Sequence, residues 1–216
     1  MFRIKILHVS SLILLLSSIL SLKARTGDII LTPRIGVNNL YTDLSKLLDM
    51  GGTIELSTGY FVADRAEIEL ELSYNFFPTF KYYKTSIENP EGNSVENNLS
   101  DFSFSIGSNY YLNDYTTSFS PYFGIQTGYT FVNETVDSQK GDENYVTSKN
   151  NIVFISPQIG LAIPLNNGGL INIKTKFMIP IDNSESSGKF NGNYPQLYGD
   201  NYKYWSIILG YSFNLN

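Results

Sequence analysis

The chain contains no cysteine, and its single histidine, His8, falls within the first 24 residues. The first absence excludes a disulfide framework, a thiolate metal site, a thiol nucleophile and a lipid-anchored cysteine. The second removes the commonest general base from the rest of the chain. Charged residues make up only 16% of the sequence, few for a soluble surface. The net charge of −5 argues against a basic nucleic-acid-binding face. Beyond residue 24 there is also no apolar run long enough for a spanning helix, which needs about 20 residues.

The first residues form a targeting pattern. Arg3 and Lys5 give a charged start, Leu12 to Leu22 is apolar apart from serines, and Ala24 offers a small residue for cleavage. This predicts a signal peptide over 1–24 followed by one domain over 25–216, with cleavage after Ser21 as the alternative. The apolar run is too short to anchor the chain comfortably as a helix. Cleavage after Ala24 takes three of the 15 basic residues and leaves 12 against 20 acidic ones, a net charge of −8. It also removes His8.

What the chain has is alternation. Aromatic residues reach 14%, mostly Tyr and Phe, which favour strands. From Ala66 to Phe77, Ile68, Leu70, Leu72, Tyr74 and Phe76 take one parity, and Glu67, Glu69, Glu71, Ser73 and Asn75 the other. That is a two-faced β-strand. The pattern recurs over Ile29–Asn38, Thr53–Val62, Phe102–Leu112, Tyr122–Val132, Ile152–Ile163, Leu170–Ile181 and Tyr204–Leu215, giving eight strands. The connections alternate in length. Those over 39–52 (with a helical turn at Leu44–Leu48), 78–101, 133–151 and 182–203 are long, and those over 63–65, 113–121 and 164–169 are shorter.

Three features decide which face is inside. The apolar parity carries no charge in any strand, a purity that lipid imposes at about 2–4 kcal/mol per Arg or Lys. Seven strand glycines (Gly36, Gly59, Gly107, Gly124, Gly128, Gly160, Gly210) all lie on the polar parity, which suits the crowded inside of a narrow barrel. Aromatics gather near strand ends (Tyr74, Phe76, Tyr110, Tyr122, Phe123, Phe131, Trp205, Phe213), as interfacial girdles require. A soluble eight-stranded barrel or a β-sandwich would bury the apolar row instead and would not explain the glycines. The expected fold is therefore all-β: an eight-stranded antiparallel up-and-down transmembrane barrel, short turns and both termini on the periplasmic side.

With the signal peptide, the segments Pro121–Tyr129 and Pro157–Pro164 and the last strand ending Gly-Tyr-Ser-Phe-Asn-Leu-Asn, the chain resembles the small eight-stranded outer-membrane barrels, of the OmpX and OmpA N-terminal-domain type. The resemblance implies an outer-membrane location among its lipids, a monomer, and recognition of the C-terminal strand by the barrel-insertion machinery. Phe213 and Leu215 keep the outward parity there, although the last residue is Asn216 rather than an aromatic. Enzymes built on such barrels use histidine, which the domain lacks. A serine served by Lys174 or Lys176 is the remaining route, and pairing of these lysines inside the barrel is the simpler reading.

An eight-stranded barrel is just wide enough for side chains to fill. Arg34, Glu69, Glu71, Lys174 and Lys176 are expected to meet near mid-depth, with Glu55 nearer the outer end and Glu67 nearer the periplasm. Aromatic contact candidates in the long loops are Phe80, Tyr82 and Tyr83, with Tyr194, Tyr198 and Tyr202 in the last; the equal alternative is that Tyr82 and Tyr83 continue the third strand above the membrane and belong to the upper girdle. The acidic loop over 134–150 matches no calcium-binding spacing, and neither metal nor cofactor is expected. The sequence thus points to a non-enzymatic outer-membrane barrel with a plugged polar lumen. Its role would be structural or a surface interaction with an extracellular partner, not a nucleic acid. A narrow porin-like conduit for small or hydrophobic solutes is the alternative. Mass analysis of the protein extracted from membranes checks the processing: an N-terminus at Arg25 is expected, and retention of Met1 would refute it.

Overall fold

The computed structural model describes residues 26–41, 50–86, 89–114, 118–138, 146–166, 169–181 and 202–215; of these, 78–86, 89–98, 134–138 and 146–149 are described by backbone alone. The expected signal peptide, the turn at Leu44–Leu48, Tyr194 and Tyr198 lie outside the described residues.

Eight strands follow one another as β1 (Ile29–Leu40), β2 (Gly51–Ala63), β3 (Ala66–Ser86), β4 (Asn89–Tyr111), β5 (Ser120–Ser138), β6 (Val146–Pro164), β7 (Leu170–Pro180) and β8 (Tyr204–Asn214). Each pairs antiparallel with the next, and β8 returns to β1 from Ile30↔Asn214 to Leu40↔Tyr204, closing the barrel. Closure satisfies the backbone groups that an open edge would leave unpaired, which lipid does not tolerate. The ladder skips two residues, Thr32 and Pro33, against β8 and two, Ser156 and Pro157, against β7, where proline has no N–H to give.

The alternation of the sequence becomes two surfaces. On β3, Glu67, Glu69, Glu71, Ser73 and Asn75 point inward and are buried, while Ile68, Leu70, Leu72, Tyr74 and Phe76 face out and are exposed. This is a soluble protein inverted. The outward row from Ile68 to Phe76 is nine residues. At about 3.3 Å per residue and a tilt of about 40°, it rises roughly 20 Å, close to the ~25 Å apolar band of a membrane barrel. Aromatic pairs mark both edges. Near the end that carries the long connections, the loop rim, Tyr74 lies 6.3 Å from Phe76, and Tyr129 lies 5.0 Å from Phe131. Near the end that carries the termini, the terminal rim, Tyr110 lies 5.7 Å from Phe123. Two residues depart from the expected girdle. Tyr122 faces the lumen and is buried, because it neighbours Phe123 on the same strand and only one of the two can face out. Phe213 keeps the outward parity, but its ring is covered beside that of Tyr211, 5.7 Å away.

The two middle connections are not the long loops expected over 78–101 and 133–151. β3 and β4 stay paired to Ser86↔Asn89, β4 and β5 to Val95↔Ser138, and β5 and β6 to Val136↔Val146. β1, β2, β7 and β8 all stop near the loop rim, so β3–β6 stand above it as a four-stranded wall. Sequence alternation fades there because no lipid enforces it, yet the backbone ladder continues. Pro78 sits where the β3–β4 register shifts, between Phe77 and Phe80.

Replacing outward-facing Leu70 by Arg puts a charge in the middle of the apolar band. We expect a loss of about 2–4 kcal/mol, read as a lowered urea midpoint for the barrel folded into bilayers. Leu70→Ile should leave the midpoint within about 1.5 kcal/mol.

The lumen as candidate functional site

Inward positions from four strands carry the charges together. Arg34 on β1 stands opposite Glu55 on β2 in register, and Glu69 and Glu71 follow on β3. Lys174 and Lys176 come from β7 on the far wall. Arg34 Nη1 lies 2.5 Å from Glu69 Oε1 and 3.4 Å from Glu71 Oε2. Lys174 Nζ lies 2.5 Å from Glu71 Oε2 and 3.3 Å from Glu55 Oε2. Lys176 Nζ donates to Glu71 Oε1 at 2.6 Å and also pairs with Glu55. Three acids thus meet three bases, and Glu71 touches every base. All six side chains are buried.

Glu55 joins this layer through Lys174 and Lys176. In register it stands opposite Arg34 on β1 and opposite Ser73 on β3, one inward step loop-ward of Glu71. Glu67 is nearer the terminal rim, where neutral groups hold it. Its Oε2 accepts from Asn109 Nδ2 at 2.9 Å and from the Tyr111 hydroxyl at 2.8 Å. Phe80, Tyr82 and Tyr83 lie on the part of β3 that belongs to the wall, away from this layer.

Sequence reasoning missed the neutral members. Gln126 Nε2 donates to Glu69 Oε2 at 3.0 Å, and Asn109 Nδ2 reaches the same oxygen at 3.1 Å. Gln158 Nε2 donates to Asn109 Oδ1 at 2.6 Å. All three sit on the polar parity, so the signal for them was present. Asp101 was expected in a loop but faces inward on β4, buried. Tyr202, expected as an exposed loop aromatic, is fully buried and donates its hydroxyl to Asp101.

Two apolar layers bracket the ionic one. Toward the terminal rim are Ile30, Phe61, Tyr111, Tyr122, Ala162 and Leu170. Toward the loop rim, Phe77, Leu99, Phe154, Met178 and Tyr204 pack with Tyr202. Glycines make room for the largest side chains: a methyl group on Gly160 would strike the Tyr122 ring, and one on Gly210 would stand 2.5 Å from Arg34 Cγ. Among the described residues no three His, Cys, Asp or Glu converge as metal ligands.

A closed eight-stranded barrel with an apolar outside and a polar, filled inside now stands complete. No family model matches the chain, and no curated protein matches it in sequence. Solved structures do. OprG from Pseudomonas aeruginosa is 17% identical with a TM-score of 0.57, over 89% of this chain and 97% of that one. A major outer membrane protein from Thermus thermophilus is 9% identical with a TM-score of 0.54, over 87% and 99%. Ail, the attachment invasion locus protein of Yersinia pestis, is 11% identical with a TM-score of 0.53, over 89% and 100%. The fold is that of the outer-membrane β-barrels. At these identities the likeness is one of fold.

In this outer-membrane barrel fold the ionic layer acts as a crosslink between opposite walls. Removing one partner leaves a buried charge uncompensated, at a cost of about 3–5 kcal/mol. Glu71→Gln and Lys174→Met should each lower folding stability by about that amount. The double variant should cost less than the sum of the two, because it removes both halves of one pair. Denaturant titration of the four proteins in one detergent gives the coupling; additive losses would refute a direct interaction.

Proposed function

We propose that the protein is a non-enzymatic, monomeric barrel of the outer membrane, with a sealed lumen and a surface-interaction role carried above the membrane by the β3–β6 wall. The observation that carries this reading is the filling of the lumen: an ionic layer of balanced charge between two layers of packed apolar side chains. A solute would have to displace all three.

The apolar outer band supports insertion into lipid. In the proposed orientation both termini face the periplasm, the signal peptide 1–24 is removed on export, and the C-terminal strand is the part read by the insertion machinery. With the signal peptide gone no histidine remains. Lys174 and Lys176 are each engaged by two carboxylates, which leaves neither as a base for a serine.

The wall is where an extracellular partner would meet the protein. β6 stays paired with β5 up to Val146, but its pairing with β7 ends at Phe154↔Pro180, with one further backbone bond from Ile181 N to Val153 O. The Phe-Lys-Tyr-Tyr-Lys stretch at 80–84 adds aromatic and basic residues to the same wall. Ail, described as an attachment invasion protein, shares the fold, and a surface role of that general kind is what we extend to this chain.

Single-channel recording in planar bilayers tests the sealed lumen. The wild-type protein should give no stepwise current. A steady unitary conductance would overturn the reading in favour of a narrow conduit, and a current appearing only in Glu71→Gln would make the ionic layer a gate instead of a plug.

A further inference from the structure

On the β5–β6 side of the lumen, Gln126, Ser156 and Gln158 are 1%, 1% and 3% exposed. Each buries an oxygen, Gln126 Oε1, Ser156 Oγ and Gln158 Oε1, that has no hydrogen-bond partner among the described residues. The three are neighbours. Gln126 stands opposite Ser156 in register, and Gln158 follows Ser156 on the same inward face. Leaving one such group unsatisfied costs from about fivefold to about a hundredfold in the folding equilibrium. Three side by side call for a common partner.

The acids fix how the two amides point. Gln126 Nε2 donates to Glu69 Oε2 at 3.0 Å and to Glu71 Oε2 at 3.3 Å. Gln158 Nε2 donates to Asn109 Oδ1 at 2.6 Å, and Asn109 Nδ2 donates to Glu69 Oε2 at 3.1 Å. Turning Gln126 over would set its oxygen against two carboxylates, and turning Gln158 over would set its oxygen against that of Asn109. Two hydrogen-bonded arms therefore leave Glu69, one through Gln126 and one through Asn109 to Gln158. Both end on an amide oxygen that needs a donor. Ser156 stands beside those ends, but a hydroxyl has one proton and cannot serve both.

We propose that Gln126, Ser156 and Gln158 form a site for one buried water. The water donates one proton to each amide oxygen and accepts from Ser156 Oγ, which closes a ring from Glu69 through Gln126, the water, Gln158 and Asn109 back to Glu69. Three bonds to otherwise unsatisfied groups are the usual complement of a buried water. A metal cation fits the place less well. The carboxylates of the layer are already engaged by Arg34, Lys174 and Lys176, and Lys176 stands opposite Gln158 across the β6–β7 ladder. The ionic layer thus has a dry side, where Glu71 meets its bases, and a hydrated side that holds the neutral donors of Glu69 in position. The site does not depend on the sealed lumen: a steady current through the wild-type protein would overturn the seal and leave the ring to its own test.

Ser156→Ala tests the site by the sign of its effect. Removing a buried hydroxyl that has no partner raises stability; removing one that donates to a held water lowers it. We expect Ser156→Ala to reduce the folding equilibrium constant in bilayers about fivefold, the loss of one hydrogen bond, as read by urea titration. In a Gln126→Met, Gln158→Met background the water has lost both acceptors, and the same change should carry no such loss. Unchanged or raised stability on Ser156→Ala would overturn the site, as would an undiminished loss in the double-Met background. Exchanging sodium chloride for potassium or rubidium chloride at equal ionic strength should leave the wild-type midpoint in place. A midpoint that follows the cation would overturn the water in favour of a bound ion. Should the double-Met protein fail to fold, a crystal structure of the wild-type barrel decides. One density peak within about 3.2 Å of all three oxygens is expected, without anomalous signal in crystals grown in rubidium chloride. Ser156 Oγ donating directly to an amide oxygen, with no peak beside it, would refute the proposal.

Discussion

Glu71 is the residue on which the interior turns. Its carboxylate meets Arg34 from β1 and, across the barrel, Lys174 and Lys176 from β7, the strand opposite its own. Burying ions in a narrow space is costly, and only close pairing with further hydrogen bonds offsets the loss of water. The barrel meets that condition by numbers and by geometry. Three carboxylates face three cations, and Gln126, Asn109 and Gln158 supply neutral donors on the side where no base reaches. The glycines follow from this. Arg34 can lie across the lumen because Gly210 gives it floor space. A different set of interior charges would need a different set of small residues.

The exterior answers to another constraint. Lipid admits no charge and no unpaired backbone group, so outward positions are apolar and the sheet closes on itself. Above the band both demands lapse. The β3–β6 wall then follows backbone pairing alone, and its residues carry no alternation that marks them as strand. Three environments, lumen, lipid and water, thus write three different patterns into one continuous set of strands.

That division explains what was legible in the sequence. Strand number, the two faces and the main members of the ionic layer could be read because lumen and lipid impose opposite chemistry at period two. Of the wall only the continuation of β3 through Tyr82 and Tyr83 could be read, as one of two alternatives, since water accepts either face of a strand. Tyr122 was misread because an aromatic near a strand end fits both a girdle and a lumen plug, and parity against Phe123 was the clue that separated them. Asp101 and Tyr202 are 101 residues apart, and nothing local to either announces the other.

Among the described residues two buried acids remain outside the balanced layer, Glu67 toward the terminal rim and Asp101 toward the loop rim, and they are handled alike. Each accepts from an asparagine and from a tyrosine hydroxyl: Asn109 and Tyr111 for Glu67, Asn75 and Tyr202 for Asp101. The tyrosine rings belong to the apolar layers at the two ends. A phenol is suited to this place because its ring packs as an apolar body while its oxygen carries a hydrogen bond. Phenylalanine would fill the same space and take one donor from the acid; serine would leave a void. The tyrosines are thus the joints between oily ends and charged middle. Tyr111 is held by the ladder of its own strand, whereas Tyr202 precedes β8 and is held by its core packing and its hydrogen bond to Asp101.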